Sequence, residues 1–263
     1  VDAETLHAVP QLILQRLDVG WTFIVLLMRH VTFLMIAPGI GGGIAGIALR
    51  YPAAIVLTFA AFRMESVIAV PGDMITMALQ LSAEMILGAV IGMIPILIVS
   101  GAQTAGHLAS GTMGLNGAQL IDPTTQASLP DLARIYGDLA IVIFLLVGGH
   151  HVAVYQLAGL ESTIRPGSFI LSAQGISTLV DQSAAIFEIG VMIAAPVIVA
   201  LLLTNFVLAI ISKAVPTVNI FIISFPLTVA VGLGISILAL PEAGHYLARQ
   251  YLKLEPVLSA VVN

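Results

Sequence analysis

Six long apolar runs alternate with polar joints along this chain, and several runs have the length and character of membrane-spanning helices. The first extends from Val19 to Ile36, carries Arg29 and His30 inside it, and closes at Pro38. A glycine cluster follows (Gly39, Gly41, Gly42, Gly43 and Gly46), and then a run from Tyr51 to Phe62 that is short for a span of roughly 20 residues. The third run, Met74 to Leu108, is too long for one straight crossing and holds Pro95 in its middle, which predicts a broken or hairpinned helix. A polar joint with Pro123 and Pro130 covers Gly111 to Asp138. A fourth run, Leu139 to Leu157, and a second joint to Asp181 come next. Ile189 to Ile211 and Ile220 to Leu240 supply the last two runs, and a C-terminal tail from 242 to 263 is modestly amphipathic as far as Glu255. The expected fold is all-α and polytopic, with broken or hairpinned long helices, and forms a single domain over 1–263.

The stretch from Ser212 to Leu240 constrains the reading most. Lys213, Pro216, Asn219, Ser224 and Pro226 interrupt it. Proline removes a backbone donor, and Lys or Asn facing hydrocarbon costs several kcal/mol. Each therefore needs protein or water nearby, which suits part of an assembly or a conduit better than a plain anchor.

Composition narrows the class. Charged residues are 9% of the 263, against about 25% in soluble domains, too few to coat so large an apolar core. The net charge of −5 is scattered and no basic run suits nucleic acid. With no cysteine, thiolate catalysis, disulfides and cysteine metal sites are excluded. Val1 to Asp18 carries acids and lacks the basic start and apolar core of a signal peptide, so insertion is expected to rely on the first apolar run. Arg16, Arg63, Arg165, Arg249 and Lys253 on one side, against Arg50, Arg134 and Lys213 on the other, are too evenly divided to set orientation.

Packing signals are more specific. Gly88 and Gly92 form a GxxxG, and Gly42/Gly46, Gly101/Ala105, Ala102/Gly106 and Gly106/Ser110 repeat the small-xxx-small spacing that lets helix backbones approach, within this chain or against other subunits. Chemistry has few candidates. Glu84 and Glu188, in or beside apolar runs, suit either a carried proton or cation or an ion pair across helices. His150 and His151 are neighbours, about 100° apart on a helix, and do not share a metal-facing side as an i, i+4 pair would. No hydrolase, metalloprotease, P-loop or paired-carboxylate motif is present, so neither an enzyme nor a cofactor is expected.

The run Lys213-Ala-Val-Pro216-Thr-Val-Asn219-Ile-Phe-Ile-Ile-Ser-Phe225-Pro226-Leu, followed by Val231-Gly232-Leu233, resembles the signature of the FliR family of flagellar biosynthetic proteins, whose relatives serve in virulence type III secretion. Met113-Gly114-Leu115 leading to Asp122-Pro123 and Pro130-x-Leu-Ala-Arg134, then Gly149-His150-His151 and Leu160 to Gly167, resemble further landmarks of that family in the same order. Thr217, Ser224 and Gly148 depart from its usual residues.

The resemblance implies a core subunit of the type III export gate in the bacterial inner membrane, at the flagellar basal body. It would be built with FliP-like and FliQ-like subunits into a closed channel for unfolded flagellar substrates, adjoined by FlhB-like and FlhA-like components and bathed in membrane lipid. By position, the loop over 111–130, with Gly111, Met113, Gly114, Leu115, Asn116, Asp122 and Pro123, would plug the lumen. Lys213, Pro216, Asn219, Phe225 and Pro226 would belong to a helix hairpin packed against neighbouring subunits. Apolar side chains beside glycines also suit a movable seal on physical grounds. The competing expectation is an ion-coupled transporter or channel, with Glu84, Glu188, Asn205 and Lys213 around a midplane site.

Overall fold

In hydrocarbon a backbone must satisfy its own polar groups, and a helix does so within one segment. A computed structural model describes residues 3–39, 43–62, 66–115, 132–158, 165–214 and 220–262. Among them are eight helices and no strand: α1 Ala3–Ile36, α2 Gly43–Phe62, α3 Met74–Met113, α4 Leu132–Leu146, α5 Gly149–Leu157, α6 Ala173–Ala214, α7 Ile220–Tyr251 and α8 Leu254–Val262. The fold is all-α and polytopic. Four stretches are long and apolar enough to cross a membrane, Arg16–Ile36, Met74–Met113, Ala173–Ala214 and Ile223–Val262, or five if α4 and α5 together count as one.

Two expectations change. The run through Pro95 does not break, and α3 continues through it for 40 residues. A proline removes one intrahelical bond, while unwinding in an apolar setting would strand many more. The break comes instead at Gly148, whose φ of 80° ends α4 and starts α5, a conformation that glycine adopts at little cost. The polar joints are shorter than their composition suggests. Leu132 to Asp138 is already helix, with Arg134 and Asp138 an exposed i, i+4 pair at 3.9 Å, and α6 begins at Ala173, well before the apolar run. The second run is short as expected, one of the shorter apolar helices, over Gly46–Phe62.

Hydroxyls inside these helices are satisfied locally. Thr58, Thr204 and Ser236 donate to the carbonyls four residues earlier, Ala54, Ala200 and Gly232, at 2.7, 2.8 and 2.8 Å, which spares them a bare polar group in an apolar environment. The start of α3 is capped by Asp73, which accepts the Thr76 amide at 2.7 Å and its hydroxyl at 2.9 Å. These bonds hold the Asp73 carboxyl below the ordinary carboxylate range.

The chain forms two compact units. The first comprises Val1–Ile96, Gly148–Val180 and Lys253–Asn263, and the second Leu97–Val147 and Asp181–Leu252. In the first, α1 lies against α2 and the first part of α3, and α5 against α8. Phe23 meets Phe59 with centroids 4.9 Å apart. In the second, the later part of α3 packs on α6 and α4 through glycines. A Cβ at Gly101 would meet Ile189 Cβ at 2.8 Å, one at Gly190 would meet Thr104 Cγ2 at 2.8 Å, and one at Gly106 would collide with the Ala133 backbone. Ala102, Ala105 and Ala109 on the same helix are fully buried. Such close approach is how helices associate where lipid supplies no hydrophobic drive between them.

Candidate functional site

The first unit is organised by two stripes at i, i+4 spacing, which therefore each lie on one helix face. Gln80, Glu84, Gly88 and Gly92 run along α3, and Arg29 and Phe33 along α1, with Trp21 two turns before Arg29 and Ala37 just past the end of the helix. Trp21 Nε1 donates to Gln80 Oε1 at 2.7 Å. Arg29 grips Glu84 with two donors, Nε to Oε2 and Nη2 to Oε1, the latter at 3.2 Å. Both side chains are all but inaccessible, at 1% and 0% exposure. A Cβ at Gly88 would strike the Arg29 carbonyl oxygen, and one at Gly92 would lie 3.1 Å from the Phe33 carbonyl oxygen. The GxxxG is thus spent within this chain, seating α1 on α3.

Two further bonds among the described residues join this buried node. Arg29 Nη1 donates to the Leu157 carbonyl at 3.2 Å, near the C-terminus of α5, where a cation is favoured. The Gly167 amide donates to Glu84 Oε1 at 2.6 Å. Beside Arg29, His30 Nδ1 lies 2.7 Å from the Leu26 carbonyl. A carbonyl only accepts, so Nδ1 carries the proton.

The second unit joins the two segments singled out for the seal and the hairpin. Gly111 and Met113 belong to the last turn of α3 rather than to a loop, because the polar residues here still sit on helix. Met113 is 1% exposed. A Cβ at Gly232 would meet Met113 Cγ at 2.6 Å, the Thr228 hydroxyl donates to the Met113 carbonyl at 3.2 Å, and the nearest atom to a Cβ at Gly114 would be Phe225 Cδ2 at 4.0 Å. Gly114 has a φ of 81°, so it turns the chain off the helix where other residues would be strained. Leu115 is half-buried, Phe225 and Pro226 are exposed, and Lys213 is exposed in the last turn of α6. Asn116, Asp122, Pro123, Pro216 and Asn219 lie outside the described residues. Sequence reasoning noted Met113 and Gly232 separately. Their union had one signal, a small residue in α7 where a large side chain must fit.

The four ion-coupling candidates fall differently. Glu84 is committed to Arg29 in the first unit, while Glu188, Asn205 and Lys213 are exposed on the second-unit part of α6. The His150 and His151 rings approach to 4.0 Å between centroids, closer than their helical separation suggests. Among the described residues no three metal-ligating side chains gather.

These features define a class: a polytopic helical membrane protein whose internal polar groups serve packing between its own helices. Residues 21–254 match the family described as bacterial export proteins, family 1. The chain is 29% identical to the flagellar biosynthetic protein FliR of Escherichia coli (strain K12) over 71% of its own length and 72% of that protein's. It is 30% identical to FliR of Aquifex aeolicus (strain VF5), over 84% and 85%. It is 25% identical to Yop proteins translocation protein T of Yersinia pestis, over 70% and 72%. The chain belongs to bacterial export proteins, family 1, the family of the flagellar FliR proteins. It is a membrane-embedded component of a type III export apparatus of the kind used in flagellar biosynthesis.

Proposed function

We propose that this chain is a core subunit of the export gate in the bacterial inner membrane, at the flagellar basal body. It acts as one helical domain with FliP-like and FliQ-like subunits around a closed channel for unfolded export substrates, beside FlhA-like and FlhB-like components. It works as a structural part of a conduit and not as an enzyme. The segment over 111–130 serves as the plug, with Gly111, Met113, Gly114, Leu115, Asn116, Asp122 and Pro123. The hairpin of Lys213, Pro216, Asn219, Phe225 and Pro226 contacts neighbouring subunits.

The observation that carries this reading, within the family, is Met113 buried against Gly232 and Thr228 with Phe225 beside Gly114. A buried methionine seated against a glycine of α7 is a contact that can exclude solute when closed and release it when the two separate. Exposed apolar side chains along α6, among them Phe187, Leu202, Leu203 and Phe206, give lipid or partner helices a surface to cover.

The test is small-solute leakage through the assembled apparatus in cells, comparing Gly232→Leu and Met113→Ala with Glu188→Gln. Gly232→Leu displaces Met113 and Met113→Ala empties its seat, so both raise leakage, while Glu188→Gln leaves it unchanged. Loss of transport in Glu188→Gln, with unchanged leakage in the other two, would instead favour an ion-coupled transporter.

A further inference from the structure

The Arg29–Glu84 pair does more than neutralise two charges. Glu84 Oε1 receives the Gly167 amide at 2.6 Å as well as Arg29 Nη2. Gly167 sits in a tight turn with a φ of 75°, in which both the amide and the hydroxyl of Ser168 return to the Arg165 carbonyl, at 3.1 and 2.7 Å. Pro166 and Phe169 on either side are buried. A Cβ at Gly167 would lie 2.9 Å from Gln80 Cγ, one helical turn from Glu84 on α3, so the turn rests on the same polar stripe. Only five residues separate Gly167 from Ala173, the first residue of α6. The first two turns of α6, to Val180, belong to the same unit as Glu84.

We propose that Glu84 is a positioning residue. Its carboxylate, held in one orientation by the two-donor grip of Arg29, is the fixed acceptor that docks the 165–168 turn on α3 and so sets where α6 begins. Arg29 contributes twice, orienting Glu84 and binding the Leu157 carbonyl at the end of α5. One buried ion pair thereby ties both ends of the α5-to-α6 connection to α1 and α3. A pair that only offset two charges would have no need of the Gly167 amide. This inference concerns the first unit alone and stands whether or not the export-gate reading holds.

The experiment uses the natural absence of cysteine. Cysteines placed at Ile75 and Ile170, exposed by 74% and 85% in the same unit, carry spin labels in the full-length protein, and a dipolar distance distribution reports how firmly the turn is held against α3. Two neutral pairs are compared: Arg29→Met with Glu84→Gln, and Arg29→Met with Glu84→Met. Both remove the charges, and only glutamine keeps a carbonyl oxygen for Gly167. The expected result is a single narrow distribution in the parent, a broader one in the glutamine pair, which has lost the grip of Arg29 but keeps an acceptor for Gly167, and one at least twice as wide as that in the methionine pair. Indistinguishable distributions in the two pairs would overturn the proposal. Should neither pair accumulate, hydrogen exchange on the unsubstituted protein decides. The Gly167 amide must rank with the slowly exchanging helix amides, and rapid exchange there would overturn the assignment.

Discussion

Removing Arg29 alone leaves a buried carboxylate without its main donors, and removing Glu84 alone leaves a buried guanidinium. Breaking such a pair from one side costs about 3–5 kcal/mol, whereas replacing both partners with apolar residues of similar volume is often neutral. Arg29→Met or Glu84→Met should therefore lower the thermal midpoint of the protein in mild detergent sharply, and the double substitution should recover most of the loss. Additive losses, measured the same way, would mean that the two side chains do not act as a pair. Arg29 and Glu84 were each conspicuous in the sequence as charges inside apolar runs, and pairing across helices was one of the roles open to Glu84. Their partnership was not legible, because the i, i+4 spacing fixes which residues share a face of one helix and says nothing about which two helices meet. The Gly167 amide was further out of reach, since a backbone donor leaves no trace in composition.

At the scale of elements, small residues decide how closely helices approach. Gly88 faces the Arg29 carbonyl, while a Cβ at Gly234 in α7 would meet nothing within 4 Å. Gly88→Ala should destabilise by about 1–3 kcal/mol or more through overpacking. Gly234→Ala should be neutral or stabilise by up to about 1 kcal/mol through helix propensity. Thermal unfolding of the two variants checks the contrast, and equal behaviour would contradict the packing described. The GxxxG was readable as a packing motif, and α1 as its receiver was not. Element identity was legible throughout because apolar length alone demands helix. Breakpoints were less so: Pro95 looked like the natural break and is not one, while Gly148 breaks the chain and is one glycine among 24. A proline forfeits one bond. A break needs a backbone turned into the left-handed region, and the sequence does not mark which glycine makes that turn.

For the whole molecule, apolar faces decide the question of company. Of the 18-residue apolar window within Ile223–Val262 only 17% is buried within the chain, and of that within Ala173–Ala214 only 33%. Side chains such as Ile237 and Leu238 on α7, exposed by 66% and 76%, must meet lipid or other subunits. The sequence already carried the family, because Lys213 to Leu227 and Met113 to Arg134 keep its landmarks in order, and the match over residues 21–254 agrees. The partners remained out of reach because lipid-facing and subunit-facing helix surfaces are equally apolar. The most direct measurement is affinity purification of the tagged chain in mild detergent, expressed with its native operon, followed by mass spectrometry of the intact complex. The export-gate reading predicts FliP-like and FliQ-like subunits in fixed excess over this chain. A stable monomer or homo-oligomer lacking them would contradict it.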